Sequence, residues 1–433
     1  MKIKIQITIQ FILLITCAWR TLSANEIPNF IFETAINSHE LIAAKQNLFI
    51  KKQLVQTVTS AWLPNISADI SQSWVRDDST TSTFVSKSVK VTHPQTYSLQ
   101  VDQPIWNGGR TNIDKNVANF EYQAEKYRYL KKLQTKMIEL VSLNSEIIKL
   151  KKSLYYTENN IKILRYHLNS SKIRFKVGEI SETDVFKSES RLSSVAADKI
   201  KISSDLKIAK QKYNSNFKDK YSASVTLEPL KIIFYTKEEM IESNYDLISE
   251  RLISNSLSEK YKKQKKVNWP TLSAKATLTQ SFQEINKASE STEVLAKLQF
   301  TVPLYDGGIN SSAISIKKLE MVKSKNTYQA LIKDNFLKLT SAYGEYKSSN
   351  QRITAIKLSI KHAKKTLEST KKEVNIGTKS IGDLLDSEKE LLDARLKLIG
   401  EEEKIILLTY KINGAMGKLV NKNIFNTIHF KPI

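Results

Sequence analysis

The chain has 433 residues and a formal net charge of +23, with only 11 Gly, 8 Pro and a single cysteine. One cysteine excludes an internal disulfide and a thiolate metal cluster. The lysines lie in short groups such as Lys262, Lys263, Lys265, Lys266 or Lys364, Lys365 with no aromatic platform beside them, so the charge reads as solvated helix faces and not as a nucleic-acid surface.

Residues 1–24 begin with Lys2 and Lys4, continue through an apolar run from Ile5 to Ala18 broken by Gln6, Thr8, Gln10 and Thr16, and end on the small residues Ser23 and Ala24. That order predicts a cleaved export signal. The run is too short and too polar for an anchor helix, which needs about 20 mostly apolar residues. Cys17 raises the alternative of a lipid acceptor, against which stand the bulky Ile15 and Thr16, where small residues are usual.

The first half, 25–220, starts as helix and changes period after Trp62-Leu63-Pro64. Pro64 lacks a backbone donor and biases its predecessor to extended geometry, which suits a switch from helix to strand. Ile66, Ala68 and Ile70 then alternate with polar residues, and Tyr97, Leu99 and Val101 do the same. The spacing predicts two strands of about ten residues, the length of a tilted strand crossing a bilayer. The polar stretch Arg76 to Pro94 is expected to be the loop joining them. Gln103-Pro104-Ile105-Trp106-Asn107-Gly108-Gly109 follows. Gly108 and Gly109 permit positive φ where strand returns to helix, and they fit no nucleotide-binding glycine pattern.

From Arg110 to Lys176 there is no Gly or Pro, which predicts one helix about 100 Å long. Ile147, Leu154, Ile161, Leu168 and Phe175 keep a seven-residue spacing, the pattern of supercoiled helices. Val177-Gly178 interrupts it, and Val185, Leu192, Leu206 and Tyr213 resume a similar seam. The text is that of a long antiparallel helical hairpin.

The second half, 221–433, repeats the first. Asn268-Trp269-Pro270 stands before the alternating Leu272, Ala274, Ala276 and Leu278. After the polar stretch Gln283 to Thr292, a predicted loop, come Ala296, Leu298 and Phe300. Val302-Pro303-Leu304-Tyr305-Asp306-Gly307-Gly308 lies 199 residues after its first copy, and Ile376-Gly377 keeps the same offset from Val177-Gly178. The two seams recur as Tyr346, Ile353, Ile360, Leu367, Val374 and as Leu384, Leu391, Ile405, Ile412. Four strands cannot close a membrane barrel, because unpaired edges in lipid cost too much; copies from other subunits must complete it.

The six motifs in this order, Trp-Leu-Pro or Trp-Pro, Pro-x-aromatic-x-Gly-Gly and Val/Ile-Gly-x-x-Ser, each present twice, resemble the TolC-like outer membrane efflux family over essentially the whole mature chain. The resemblance implies an α+β membrane protein: a homotrimer with a 12-stranded β-barrel, four strands per subunit, continuing into an α-helical coiled-coil tunnel in the periplasm. It implies an exit duct of a tripartite efflux or type I secretion system in the outer membrane, with a periplasmic adaptor and an inner-membrane pump or secretion ATPase as partners. It also places function at the hairpin tips. Gly178, Ser181, Gly377 and Ser380 become adaptor-contacting positions, and Asp383 and Asp386 become the tunnel entrance, where six carboxylates converge by threefold symmetry. Read from the residues alone, Asp383 is a helix N-terminal acid and Asp386 a solvated residue. Thr183 and Asp184 match positions of closed-state contacts. Lys379 stands where the family often has Arg, and Val374 where some members have Tyr. Lys187, opposite Asp386, restricts a double acidic ring to the second hairpin.

No catalytic constellation, metal site or cofactor is predicted. His39, His93, His167, His362 and His429 are scattered without ligand spacing. The competing reading is a trimeric coiled-coil surface scaffold or adhesin, which accounts for the heptads but not for the duplicated strand pairs.

Overall fold

The computed structural model describes residues 28–81, 86–217, 226–232, 236–282 and 290–420. The expected export signal, with Cys17, and His429 lie outside the described residues. The elements in chain order are α1 (Asn29–Ile36), α2 (His39–Ser60), β1 (Asn65–Gln72), β2 (Val75–Thr81), β3 (Ser86–Thr92), β4 (Gln95–Trp106), α3 (Arg110–Lys176) and α4 (Glu182–Asn216). After them come α5 (Lys237–Ser243), α6 (Tyr245–Lys265), β5 (Thr271–Phe282), β6 (Glu290–Thr301), α7 (Ile309–Asn375) and α8 (Ile381–Ala415). Helices α3 and α7 each have 67 residues, and α4 and α8 each have 35. No helix among the described residues is long and apolar enough to cross a membrane.

The chain forms two compact units, each drawing on both sequence halves. One contains Gln46–Tyr127 and Ile248–Ala330 and so holds the strands. Its sheet is antiparallel in the order β1-β4-β5-β6. The register gathers the alternating apolar residues on one face: Ile66, Val101, Ala276 and Ala296 form one row, and Ala68, Leu99, Leu278 and Val294 the next. The opposite face carries rows such as Asn65, Asp102, Lys275 and Lys297, with Lys275 paired to Asp102 at 3.2 Å. The outer strands β1 and β6 are exposed along their whole length.

Two loop expectations are corrected. The stretch Arg76 to Pro94 is not simply a loop, since β2 and β3 pair in it as a separate antiparallel ribbon with Val75 opposite Thr92. Its Val and Thr residues favour extended backbone although the composition is polar. In the second half, Glu290, Ser291 and Thr292 belong to β6, where they pair with Phe282, Ser281 and Gln280. Ladder hydrogen bonds there outweigh the polar side chains.

The turn residues are explained by backbone geometry. Pro64 and Pro270 directly precede β1 and β5, Pro303 follows β6, and Pro104 sits at a register shift in β4, a place where a missing donor is tolerated. Gly108, Gly109, Gly307 and Gly308 all have φ between 68 and 89°. At Gly108 a side chain is also excluded by space, since its Cβ would lie 2.8 Å from that of Trp269. The residue before each glycine pair caps the next helix. Asn107 Oδ1 accepts from the Thr111 amide, and Asp306 accepts from those of Gly308 and Asn310.

Candidate functional site: the two hairpin tips

The other unit contains residues up to Lys45, Arg128–Leu247 and Leu331 onward, and holds both hairpin tips. Both tips end the same way. The Glu179 amide donates to the Arg174 carbonyl and that of Gly178 to Phe175; at the second tip Thr378 donates to Glu373 and Gly377 to Val374. This is the left-handed helix stop in which glycine is favoured, and Gly178 and Gly377 have φ of 78 and 80° with open space around them. The sequence breaks at Val177-Gly178 and Ile376-Gly377 are therefore helix C-caps, both exposed.

Beneath the tips lies an apolar cluster of Ile161, Leu164, Val195, Val374, Ile381, Leu384 and Leu385. Val374, in a place where a tyrosine was weighed, is a buried member of it. Of the first seam, Ile147 and Ile161 are buried, Leu154 and Leu168 half-buried and Phe175 exposed, whereas Leu384, Leu391, Ile405 and Ile412 of α8 are all buried.

The expected site residues occupy the starts of α4 and α8. Ser380 and Asp383 form a reciprocal cap: the Ser380 hydroxyl accepts from the Asp383 amide at 3.2 Å, and Asp383 Oδ2 accepts from the Ser380 amide and hydroxyl at 2.9 and 2.7 Å. At the first tip the Ser181 hydroxyl donates to Asp184 at 2.9 Å, and no side-chain cap closes. Thr183 is exposed on the same turn. Lys379 pairs with Glu373 of its own turn at 2.8 Å. Asp386 is exposed one turn beyond Asp383, on a surface shared with Lys389, Glu390 and Asp393.

The Asp383 carboxyl is held below its ordinary range, first by the Ser380 hydroxyl, then by the Ser380 amide, and further by Lys379 and Lys187. It therefore carries its charge at neutral pH. Lys187, on the first hairpin, thus lies close to the second hairpin's Asp383, a proximity that no spacing in the sequence signals. The cap itself was legible, since Ser380-x-x-Asp383 is the sequence form of a capping box.

His167 is an interface residue. Its Nε2 lies 3.1 Å from Glu388 Oε1 of α8, with both side chains nearly buried. Among the described residues no group of three or more His, Cys, Asp or Glu is placed to hold a metal ion.

Residues 31–212 and 238–406 match the family model described as Outer membrane efflux protein. The outer membrane protein TolC of Salmonella enteritidis is 22% identical over 298 residues, 65% of this chain and 61% of that protein. The chain thus aligns with about three fifths of that relative's length. The outer membrane efflux protein BepC of Brucella suis biovar 1 is 19% identical over 344 residues, 78% of this chain and 75% of the relative. The fold is shared with the Campylobacter jejuni CmeC outer membrane channel, at a TM-score of 0.82 and 14% identity over 93% of this chain and 89% of that one. It is likewise shared with the outer membrane protein VceC of Vibrio cholerae, at 0.76 and 14% over 90% and 95%.

Proposed function

Since the chain belongs to the outer membrane efflux protein family, a family of channel proteins of the outer membrane and not of enzymes, we propose that three copies of it build a single exit duct. Each copy contributes β1, β4, β5 and β6 to a twelve-stranded barrel, and the hairpins line a periplasmic tunnel. The duct conducts passively whatever an inner-membrane pump or secretion ATPase delivers through a periplasmic adaptor. The observation that carries this reading is the sheet itself. It has one apolar face suited to lipid and one polar face suited to a lumen, yet β1 and β6 have no outer partner among the described residues. Open edges in a bilayer leave backbone groups unsatisfied at several kcal/mol each, so closure by identical strands is the economical solution. A surface scaffold or adhesin has no use for such a sheet.

The test is assembly. The mature protein is expected in the outer-membrane fraction as a trimer that resists mild detergent and migrates as monomer only after heating. A soluble monomer contradicts the reading.

The tips are the proposed adaptor contacts, because Gly178, Ser181, Gly377 and Ser380 are all exposed there. Cysteines replacing Ser181 or Ser380 are expected to crosslink to the adaptor in whole cells more efficiently than cysteines at mid-helix positions such as Lys357. The reverse order would move the docking site up the helices.

A further inference from the structure

At the tips, the hydrogen-bonded pairs of Ser181, Lys379 and Ser380 stay inside their own hairpins. Further in, charged pairs cross from the first hairpin to the second. His167 of α3 meets Glu388 of α8 at 3.1 Å, with side chains only 12% and 9% exposed. Lys152 of α3 meets Glu403 of α8 at 2.8 Å, with the Glu403 side chain 6% exposed. His167 lies nine residues before the end of α3, about 14 Å along the helix.

In each pair only one carboxylate oxygen is used. Glu388 Oε2 and Glu403 Oε2 are buried without a hydrogen-bond partner among the described residues. A buried, half-satisfied carboxylate opposes the closed seam, because the free oxygen regains water only when the helices part. The attraction to His167 or Lys152 holds the seam together over the same distance. Those opposing terms make a contact that is either fully made or fully released, the property of a two-state element.

We propose that His167–Glu388, seconded by Lys152–Glu403, is the latch that holds α8 of the second hairpin on α3 of the first, and that its release lets the second hairpin move and widen the passage. The proposal rests on the duct reading. It places the hold of one hairpin on the other in the shaft and not at the tip residues.

The test is single-channel recording of the full-length trimer in planar bilayers. His167→Ala and Glu388→Ala are each expected to raise the open probability about tenfold or more, as loss of one partner of a buried charged pair does. The double variant is expected to go no further than either single one, because both remove one contact. His167→Gln, which keeps a donor near the Nε2 position, is expected to stay near wild type. Where a single variant fails to assemble, cysteines at 167 and 388 joined by a short bis-thiol crosslinker decide the matter: crosslinked channels should stay at low conductance, and cleavage of the linker should restore opening. Open probabilities unchanged in the alanine variants, additive effects in the double variant, or a crosslink without effect overturn the latch and leave the duct standing. No current from wild type overturns both.

Discussion

Replacing Asp383 and Asp386 together by asparagine is expected to move the channel's reversal potential in a salt gradient toward zero and to weaken block by divalent cations about tenfold or more, roughly 1.4 kcal/mol. Asparagine is preferred to alanine because Asp383 is half of a reciprocal cap with Ser380. Losing that cap costs about 1 kcal/mol and frays the start of α8, which would confuse charge with structure. The expected direction, cation selectivity in a chain of net charge +23, follows from distance. Lysines on outer faces are screened over about 8 to 10 Å in physiological salt, whereas carboxylates gathered at a constriction act on an ion within a few ångströms. Lys187 and Lys379 stand near Asp383 and offset part of its charge. Asp386 is accordingly expected to contribute more than Asp383 when each is replaced singly. An unchanged reversal potential and unchanged block would return both residues to the role of solvated helix acids.

The second large effect is expected at Gly417, where alanine should destabilise the fold by about 3 kcal/mol or more. Gly417 ends α8 with the same left-handed stop as the two tips, its amide donating to the Gly414 carbonyl and that of Lys418 to Asn413. Its φ is 65°, and an added Cβ would fall 2.1 Å from the Ser243 carbonyl oxygen. Positive φ alone costs a side chain about 1–3 kcal/mol. The overlap falls on backbone, which must move as a piece. That piece is well anchored, because Asn244 donates to the Ala415 carbonyl at 2.8 Å and the buried Tyr245 hydroxyl donates to Val420 at 2.5 Å. Gly178→Ala is the control, with a similar φ and nothing within 4 Å of the added methyl, so it should lose only about 1 kcal/mol. Thermal unfolding of the solubilised proteins by circular dichroism measures both. Equal losses would show that the Ser243 contact yields freely.

The comparison of these two glycines shows what was legible beforehand. Gly178 and Gly377 announce themselves by interrupting a seven-residue seam, and α3 spans the whole stretch from Arg110 to Lys176 that lacks Gly and Pro. The strand faces were equally readable, because a period of two assigns Ile66, Leu99, Leu278 and Leu298 to one side whatever the partner strand is. Gly417 gave no such signal, since what makes it necessary is a carbonyl at Ser243, far away along the chain. The β2–β3 ribbon was hidden by its polar composition, which periodicity of apolar residues cannot detect. The same limit applies at the candidate site. The Ser380–Asp383 cap is local and written in the spacing, whereas the approach of Lys187 to Asp383 and the burial of His167 against Glu388 depend on how two hairpins pack.

The measurement that bears most directly on the central claim joins assembly to conduction in one sample. The mass of the solubilised protein, determined in detergent and corrected for bound detergent, is expected to correspond to three copies of the mature chain, and the same preparation should produce discrete single-channel currents in a planar bilayer. A particle of one copy, or a trimer that never conducts even with the tips released by His167→Ala, would contradict the account of this protein as a shared exit duct.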